Sequence, residues 1–231
     1  MKLELLETRE ETPTIFSIIL KKEKLDFKPG QYLNLFLPLQ DPKGNTRQFS
    51  IASSPTESNI IIATRQTNSI FKQTMAGLKP GSLIDARGPY GSFLLDENHP
   101  AIMLSGGIGI TPLRCMIKYS TDKKFKIPIT LFYSNRTPEE IAFKRDFATW
   151  IKQNKNLKVI NTITNLQDSN EKWNGLTGYI DEKMIKENAK ISKDTLFYIC
   201  GPPAMVDAMA DLLKKIKIDD SKVRVEHFTG Y

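Results

Sequence analysis

Near Asn98-His99-Pro100 the periodicity of the chain changes, and this change restricts the fold more than any other feature. Before it, short β-branched or apolar segments follow one another. Leu3–Thr8, Ile15–Lys21, Tyr32–Leu37, Arg47–Ser53, Asn59–Arg65 and Leu83–Arg87 read as strands, punctuated by Lys28-Pro29-Gly30, Pro42-Lys43-Gly44-Asn45 and Lys79-Pro80-Gly81. Short strands closely spaced by turns predict a small barrel. Ser69–Gly77 departs from the pattern and reads as a short helix ended by Gly77. After the change, Ala101–Ser105, Ile127–Ser134, Leu157–Thr162 and Leu196–Cys200 read as strands, and Val223–Phe228 as a last one. Helical patterns alternate with them at Pro112–Ser120, Pro138–Asn154, Asp181–Asn188 and Pro203–Ile216. Such alternation predicts a parallel sheet with helices on both faces. The expectation is two domains, residues 1–97 and 98–231, packed closely with a cleft between them.

Composition narrows the class. The 231 residues are 40% hydrophobic and 26% charged, as in ordinary globular proteins. Met1–Thr12 lacks a signal-peptide apolar core, and no run approaches the ~18 apolar residues that span a bilayer. The expected location is therefore the cytoplasm, with no membrane span. Two cysteines are too few for a disulfide framework or for the thiolates of an iron–sulfur cluster. Cys115 reads as a small buried helix residue. His99 and His227 lie far apart in sequence, so no metal site is expected. The net charge of +7 has three readings. Composition bias ranks first and steering of an acidic protein partner second. Nucleic-acid binding ranks last, because the 33 basic residues are dispersed among 26 acidic ones with no long basic run.

The chemistry concentrates in two loops. Ser105-Gly106-Gly107-Ile108-Gly109-Ile110-Thr111-Pro112 follows an apolar strand and opens a helix. Glycines let a backbone turn tightly and approach a phosphate, proline suits the first helical turn, and a helix N-terminus offers free N–H groups to a pyrophosphate. Tyr198-Ile199-Cys200-Gly201-Pro202-Pro203 likewise runs from a strand into a helix. Ligands of parallel sheets sit at the carboxyl ends of strands, so both loops point to one crevice. Cys200 at such a strand end could line a nicotinamide pocket.

Four blocks in this order, Arg47-Gln48-Phe49-Ser50, Gly88-Pro89-Tyr90-Gly91-Ser92-Phe93, the Gly106 loop and Cys200-Gly201-Pro202-Pro203, are similar to those of the ferredoxin–NADP reductase family. The chain resembles that family along its whole length, in its bacterial stand-alone form without an iron–sulfur domain. The resemblance implies a six-stranded antiparallel β-barrel that binds FAD (residues 1–97), followed by an α/β parallel-sheet domain that binds NAD(P) (residues 98–231). FAD is preferred to FMN because the Ser69–Gly77 helix resembles that of FAD-type members.

The resemblance also implies roles. Arg47 pairs with the flavin pyrophosphate, as a guanidinium fork suits phosphate. Gln48 and Phe49 belong to the same flavin-binding strand, with Phe49 where the family more often has Tyr. Ser50 faces flavin N5. Thr64, Arg65, Ser69, Ile70 and Phe71 meet the flavin phosphates and adenosine half. Gly106, Gly107, Gly109, Thr111, Pro112, Gly201 and Pro202 hold the nicotinamide dinucleotide, and Cys200 lies beside its ring. Glu226-His227-Phe228 resembles the ending of bacterial members. It marks Glu226 as a third catalytic candidate with Ser50 and Cys200. Phe228, or else Tyr231, would cover the flavin.

Ser134 and Arg136 follow the second strand of the nucleotide domain, where the adenosine ribose belongs. Arg136 and Lys144 would favour NADPH, whereas Glu139 and Glu140 would favour NADH. The implied function is an NAD(P)H-dependent flavoprotein reductase that passes electrons to a separate acceptor protein, such as a ferredoxin, a flavodoxin or an oxygenase component. The alternative is a non-catalytic flavin-binding subunit of a larger redox complex, for electron transfer or regulation.

Overall fold

The structure is a computed structural model and describes residues 1–228. Strands β1 (Lys2–Thr12), β2 (Ile15–Lys21), β3 (Tyr32–Phe36), β4 (Thr46–Ser50), β5 (Asn59–Arg65) and β6 (Leu83–Tyr90) form a six-stranded sheet, with helix α1 (Ile70–Ala76) between β5 and β6. Every pairing is antiparallel, in the order β4-β3-β6-β1-β2-β5. The two edges then meet. Ile51 bridges Ile62, and the Ala52 N–H donates to the Ile61 carbonyl at 2.8 Å. The sheet therefore closes as the expected barrel, which removes its edges.

Alternation along the strands explains the barrel core. On β3, Leu33 and Leu35 point inward and their neighbours do not. Strand β2 is different, because six consecutive residues from Ile15 to Leu20 are buried. Phe16, Ile18 and Leu20 fill the barrel, whereas Ile15 and Ile19 join a cluster shared with the second domain. Strand β5 is covered on both sides in the same way, with Ile60 and Ile62 inside and Ile61 and Ala63 outside. A strand reads as a continuous apolar run when both its faces are covered.

The second domain contains β7 (Ala101–Gly106), α2 (Ile110–Asp122), β8 (Ile129–Asn135), α3 (Lys144–Gln153), β9 (Leu157–Ile163), β10 (Leu176–Thr177), α4 (Glu182–Asn188), β11 (Leu196–Gly201), α5 (Pro203–Lys215) and β12 (Val223–His227). Its strands are all parallel, in the order β10-β9-β8-β7-β11-β12. One face packs α2 and α3, through Leu113, Met116, Phe147 and Trp150. The other packs α4 and α5, through Met184, Ile185, Val206 and Leu213. The direction of strand succession reverses between β7 and β11, which opens a crevice at their C-terminal ends. Helix α2 also carries the domain contact. Met116 and Ile117 pack with the outer residues of β2 and β5, and Cys115 enters the barrel core.

Two elements differ from the sequence expectation. The helix expected over Pro138–Asn154 is broken into a 3-10 turn at Pro138–Glu140 and α3, with Phe143 between them at φ +57°. Helical periodicity carries no sign of a left-handed residue, and the Phe143 ring is drawn onto a buried guanidinium, described below. The two-residue strand β10 is too short to show a period. Among the described residues, no helix is long and apolar enough to cross a membrane.

Candidate functional site

Strand register brings the two predicted loops together. Ser105 on β7 pairs with Cys200 on β11, and Cys200 pairs on its other side with Glu226 on β12. Gly106 ends β7, and Gly107–Gly109 form a 3-10 turn that leads directly into α2. A methyl group on Gly109 would stand 2.5 Å from the Gly201 Cα, and one on Gly106 would stand 2.5 Å from Met205 Sδ. Gly107 adopts φ +51°, a conformation that costs glycine little. Its carbonyl accepts the Tyr133 hydroxyl at 2.9 Å. Thr111 Oγ1 donates to the Ile108 carbonyl at 3.2 Å, and Pro112 is buried in the first turn of α2. Pro202 precedes α5 directly. The Phe228 N–H donates to the Gly201 carbonyl at 3.0 Å, and its ring packs on the shared core. Tyr231 lies outside the described residues.

Cys200 is fully buried, and burial with the nearby Glu226 charge pushes its thiol well above the usual range, so it stays protonated at neutral pH. Burial also raises Glu226, although His227 opposes the shift. Ser50 is buried at the end of β4, in register with Tyr32 and directly before the Ile51–Ile62 closure.

The barrel supplies a cationic cluster. The Arg47 guanidinium sits 5.3 Å from the Phe71 ring, and the Phe49 and Phe71 rings are 5.9 Å apart. Arg47 is further held by Asp41 at 2.7 Å and by the carbonyls of Lys43, Gly44 and Thr46. Gln48, on the opposite side of β4, is exposed. Thr64 is buried beside Arg65. Ser69 caps α1 by accepting the Lys72 N–H, and Ile70 is exposed. Lys72 is a residue that the sequence reading missed. Burial, then the charges of Arg65 and Arg47, push its ammonium below the usual lysine value. Three cations held close together suit a bound anion such as a pyrophosphate. The signal in the sequence was a lysine three residues after the helix-capping serine.

Arg65 joins the two halves. Its Nη1 donates to Thr14 Oγ1 at 3.2 Å, and its Nη2 lies 3.4 Å from Glu140 of the second domain. A methyl group on Gly107 would approach that same Nη2 to 3.4 Å.

Towards the C-terminal ends of the parallel strands, Ser105 Oγ, Asn161 Oδ1 and both amide atoms of Asn135 are buried with no hydrogen-bond partner among the described residues. Buried polar groups are normally bonded, so these orphans suit a polar ligand. Ser134 on β8 stands in register with Gly106 on β7 and Thr162 on β9. Arg136 is 68% exposed and only loosely paired with Asp168 at 3.8 Å. Glu139 accepts the Ser169 hydroxyl at 2.7 Å, which lowers its pKa to about 2. Glu140 faces Arg65, and Lys144 pairs with Glu171 at 3.2 Å. Among the described residues, no group of three or more metal-ligating side chains occurs.

Two family models match consecutive parts of the chain. A family model described as the oxidoreductase FAD-binding domain matches residues 7–94, and one described as the oxidoreductase NAD-binding domain matches residues 103–211. The phenol hydroxylase P5 protein of Acinetobacter pittii is 28% identical over 229 residues, covering 96% of this chain and 64% of that protein. The propane 2-monooxygenase reductase component of Gordonia is 26% identical over 227 residues, covering 95% of this chain and 65% of that protein. The chain thus spans somewhat less than two thirds of the length of these relatives. A ferredoxin NADP+ reductase from Neisseria gonorrhoeae, solved with FAD and NADP, shares the fold with a TM-score of 0.81 at 20% identity, covering 98% of each chain. The chain thus carries an oxidoreductase FAD-binding domain followed by an oxidoreductase NAD-binding domain, in the fold of the ferredoxin NADP+ reductases.

Proposed function

We propose that these residues form the reductase unit of an electron-transfer system: NAD(P)H is oxidised at the interdomain crevice and the electrons leave for an acceptor outside this chain. The approach of Arg65 to Gly107 carries the reading, because it sets the cationic cluster of the barrel and the glycine loop side by side. When bound, FAD supplies the redox chemistry, accepting a hydride and releasing electrons singly or in pairs.

The residues of the chain bind and orient. Arg47, Arg65 and Lys72 would hold the flavin pyrophosphate, with Phe49 and Phe71 as apolar walls. Gly106–Gly109 and Gly201-Pro202 would hold the dinucleotide, with Asn135 and Ser134 towards its adenosine end. The neutral Cys200 thiol would pack against the nicotinamide without competing as a nucleophile, Ser50 would offer a hydroxyl to the flavin, and Glu226 would hold a proton nearby. Phe228 would exclude water from the flavin until the nicotinamide enters.

We place the domain boundary at residues 97/98, between the two family matches. The names of the relatives point to an oxygenase component as acceptor, and the net charge of +7 suits an acidic docking surface on it. Two free, buried cysteines fit a reducing, cytoplasmic compartment.

Anaerobic absorbance titration tests the reading. The purified protein should be yellow and should bleach under NADH or NADPH. A protein that takes up no flavin on reconstitution would overturn it.

A further inference from the structure

The side chain of Arg114 is 3% exposed at the boundary between the domains, and its partners account for all five of its N–H donors. Nη1 donates to the Ala52 carbonyl at 2.8 Å and to Glu57 Oε2 at 3.0 Å, while Nη2 donates to Glu57 Oε1 at 3.2 Å. Nε and Nη2 both reach Asp146 Oδ2, at 2.9 and 2.5 Å. Its guanidinium carbon lies 4.9 Å from the Phe143 ring centre and 5.0 Å from that of Trp150. Burial opposes the charge, but Glu57 and Asp146 outweigh burial and hold the pKa above the usual arginine value.

The sequence positions of these partners matter. Ala52 is the second residue after Ser50 on the flavin side. Arg114 lies in the second turn of α2, five residues after Gly109. Asp146 and Phe143 stand at the start of α3, where Phe143 takes its left-handed conformation. One planar group thus spans the end of the flavin strand, the helix that carries the dinucleotide loop, and the next helix.

We propose that Arg114 is a positioning residue that sets the separation between the flavin strand end and the dinucleotide loop. This rests on the reductase reading above. Reaction between two bound ring systems requires reacting atoms about 3–3.5 Å apart, so a small change in that separation is felt in rate far more than in affinity. A guanidinium with every donor engaged fixes distance and angle together. A lysine ammonium supplies charge without the fork.

The test compares wild type with Arg114→Gln and Arg114→Lys, each loaded with FAD, in four measurements: thermal unfolding, calorimetric affinity for oxidised dinucleotide, the long-wavelength flavin–nicotinamide charge-transfer absorbance, and single-turnover bleaching. Arg114→Gln should keep its flavin and hold dinucleotide with affinity within a few-fold of wild type. It should lose most of the charge-transfer absorbance and bleach on the order of 10²-fold more slowly. Arg114→Lys should recover thermal stability more fully than bleaching rate. Unchanged charge-transfer absorbance and rate in a thermally weakened variant would reduce Arg114 to a structural residue and overturn the proposal. If Arg114→Gln does not fold, Glu57→Gln is read the same way: a slower rate at preserved affinity supports the proposal and a wild-type rate overturns it. Wild type that does not bleach at all would sink the reductase reading, and the positioning role with it.

Discussion

Gly109 touches Cys200: a methyl group on Gly109 would lie 2.4 Å from the Cys200 carbonyl oxygen. The two strand-end loops can therefore share one crevice only while position 109 has no side chain. The obstruction is backbone of a central strand, which cannot rotate aside. Gly109→Ala should destabilise the fold by ~1–3 kcal/mol through overpacking, and should weaken dinucleotide binding by prising the loops apart. Gly107→Ala should behave differently. Its methyl would meet only Arg65 Nη2 at 3.4 Å, so the penalty is the left-handed backbone, about 1 kcal/mol. Denaturant unfolding and calorimetry of both variants check the order. Equal stabilities would count against the packing argument.

Arg47 combines fork geometry with aromatic support from Phe71. Arg47→Ala should raise the FAD dissociation constant by roughly 10–100-fold, the range for a charged hydrogen bond of ~1.5–3 kcal/mol. Arg47→Lys should recover only part of the loss, since the ammonium is a point donor. Recovery of flavin fluorescence on release measures both constants. Full rescue by lysine would mean that charge alone matters at this position.

Lys72 offers a test of the cationic cluster, since it stands near Arg65 and Arg47. Lys72→Met should remove an attraction for the flavin phosphates, and FAD affinity should fall by ~10-fold. Calorimetric titration of the apoprotein with FAD is the check. Unchanged affinity would argue against an anion site among these three cations.

Glu226 predicts a pH dependence. Burial raises its carboxyl, so the folded protein retains a proton that the unfolded chain releases at lower pH. This contribution to stability is fully present below the ordinary carboxylate pKa and is lost as the pH rises through the raised value. Glu226→Gln should therefore gain stability relative to wild type on going from about pH 4 to about pH 8. Denaturant midpoints at the two ends suffice. A difference between the proteins that does not vary with pH would contradict the assignment.

Much of this was legible from residues. The glycines at 106, 107 and 109 after an apolar strand, with Pro112 in the first helical turn, encode a strand–loop–helix unit locally. Turn residues and β-branched runs did the same for the barrel strands. The break at Phe143 was not legible, because helical periodicity does not mark a left-handed residue, and the Arg114 guanidinium that lies against its ring comes from another helix. Lys72 was missed for a related reason. Its proposed role depends on Arg47, which is remote in sequence and comes near it only once β4 and β5 close the barrel.

The sequence by itself determined the class of fold, the order of its two domains and the loops that carry phosphate-binding character, since each depends on spacing over a few residues. Tertiary structure alone decided which of those residues meet. It set Gly109 against Cys200, aligned Glu226 beside that cysteine, brought Arg65 to Gly107 and enclosed Arg114 between the domains. Strand register and the packing of α2 onto the covered faces of β2 and β5 govern those contacts. They are properties of the assembled core, in which the position of each side chain is set by partners tens of residues away.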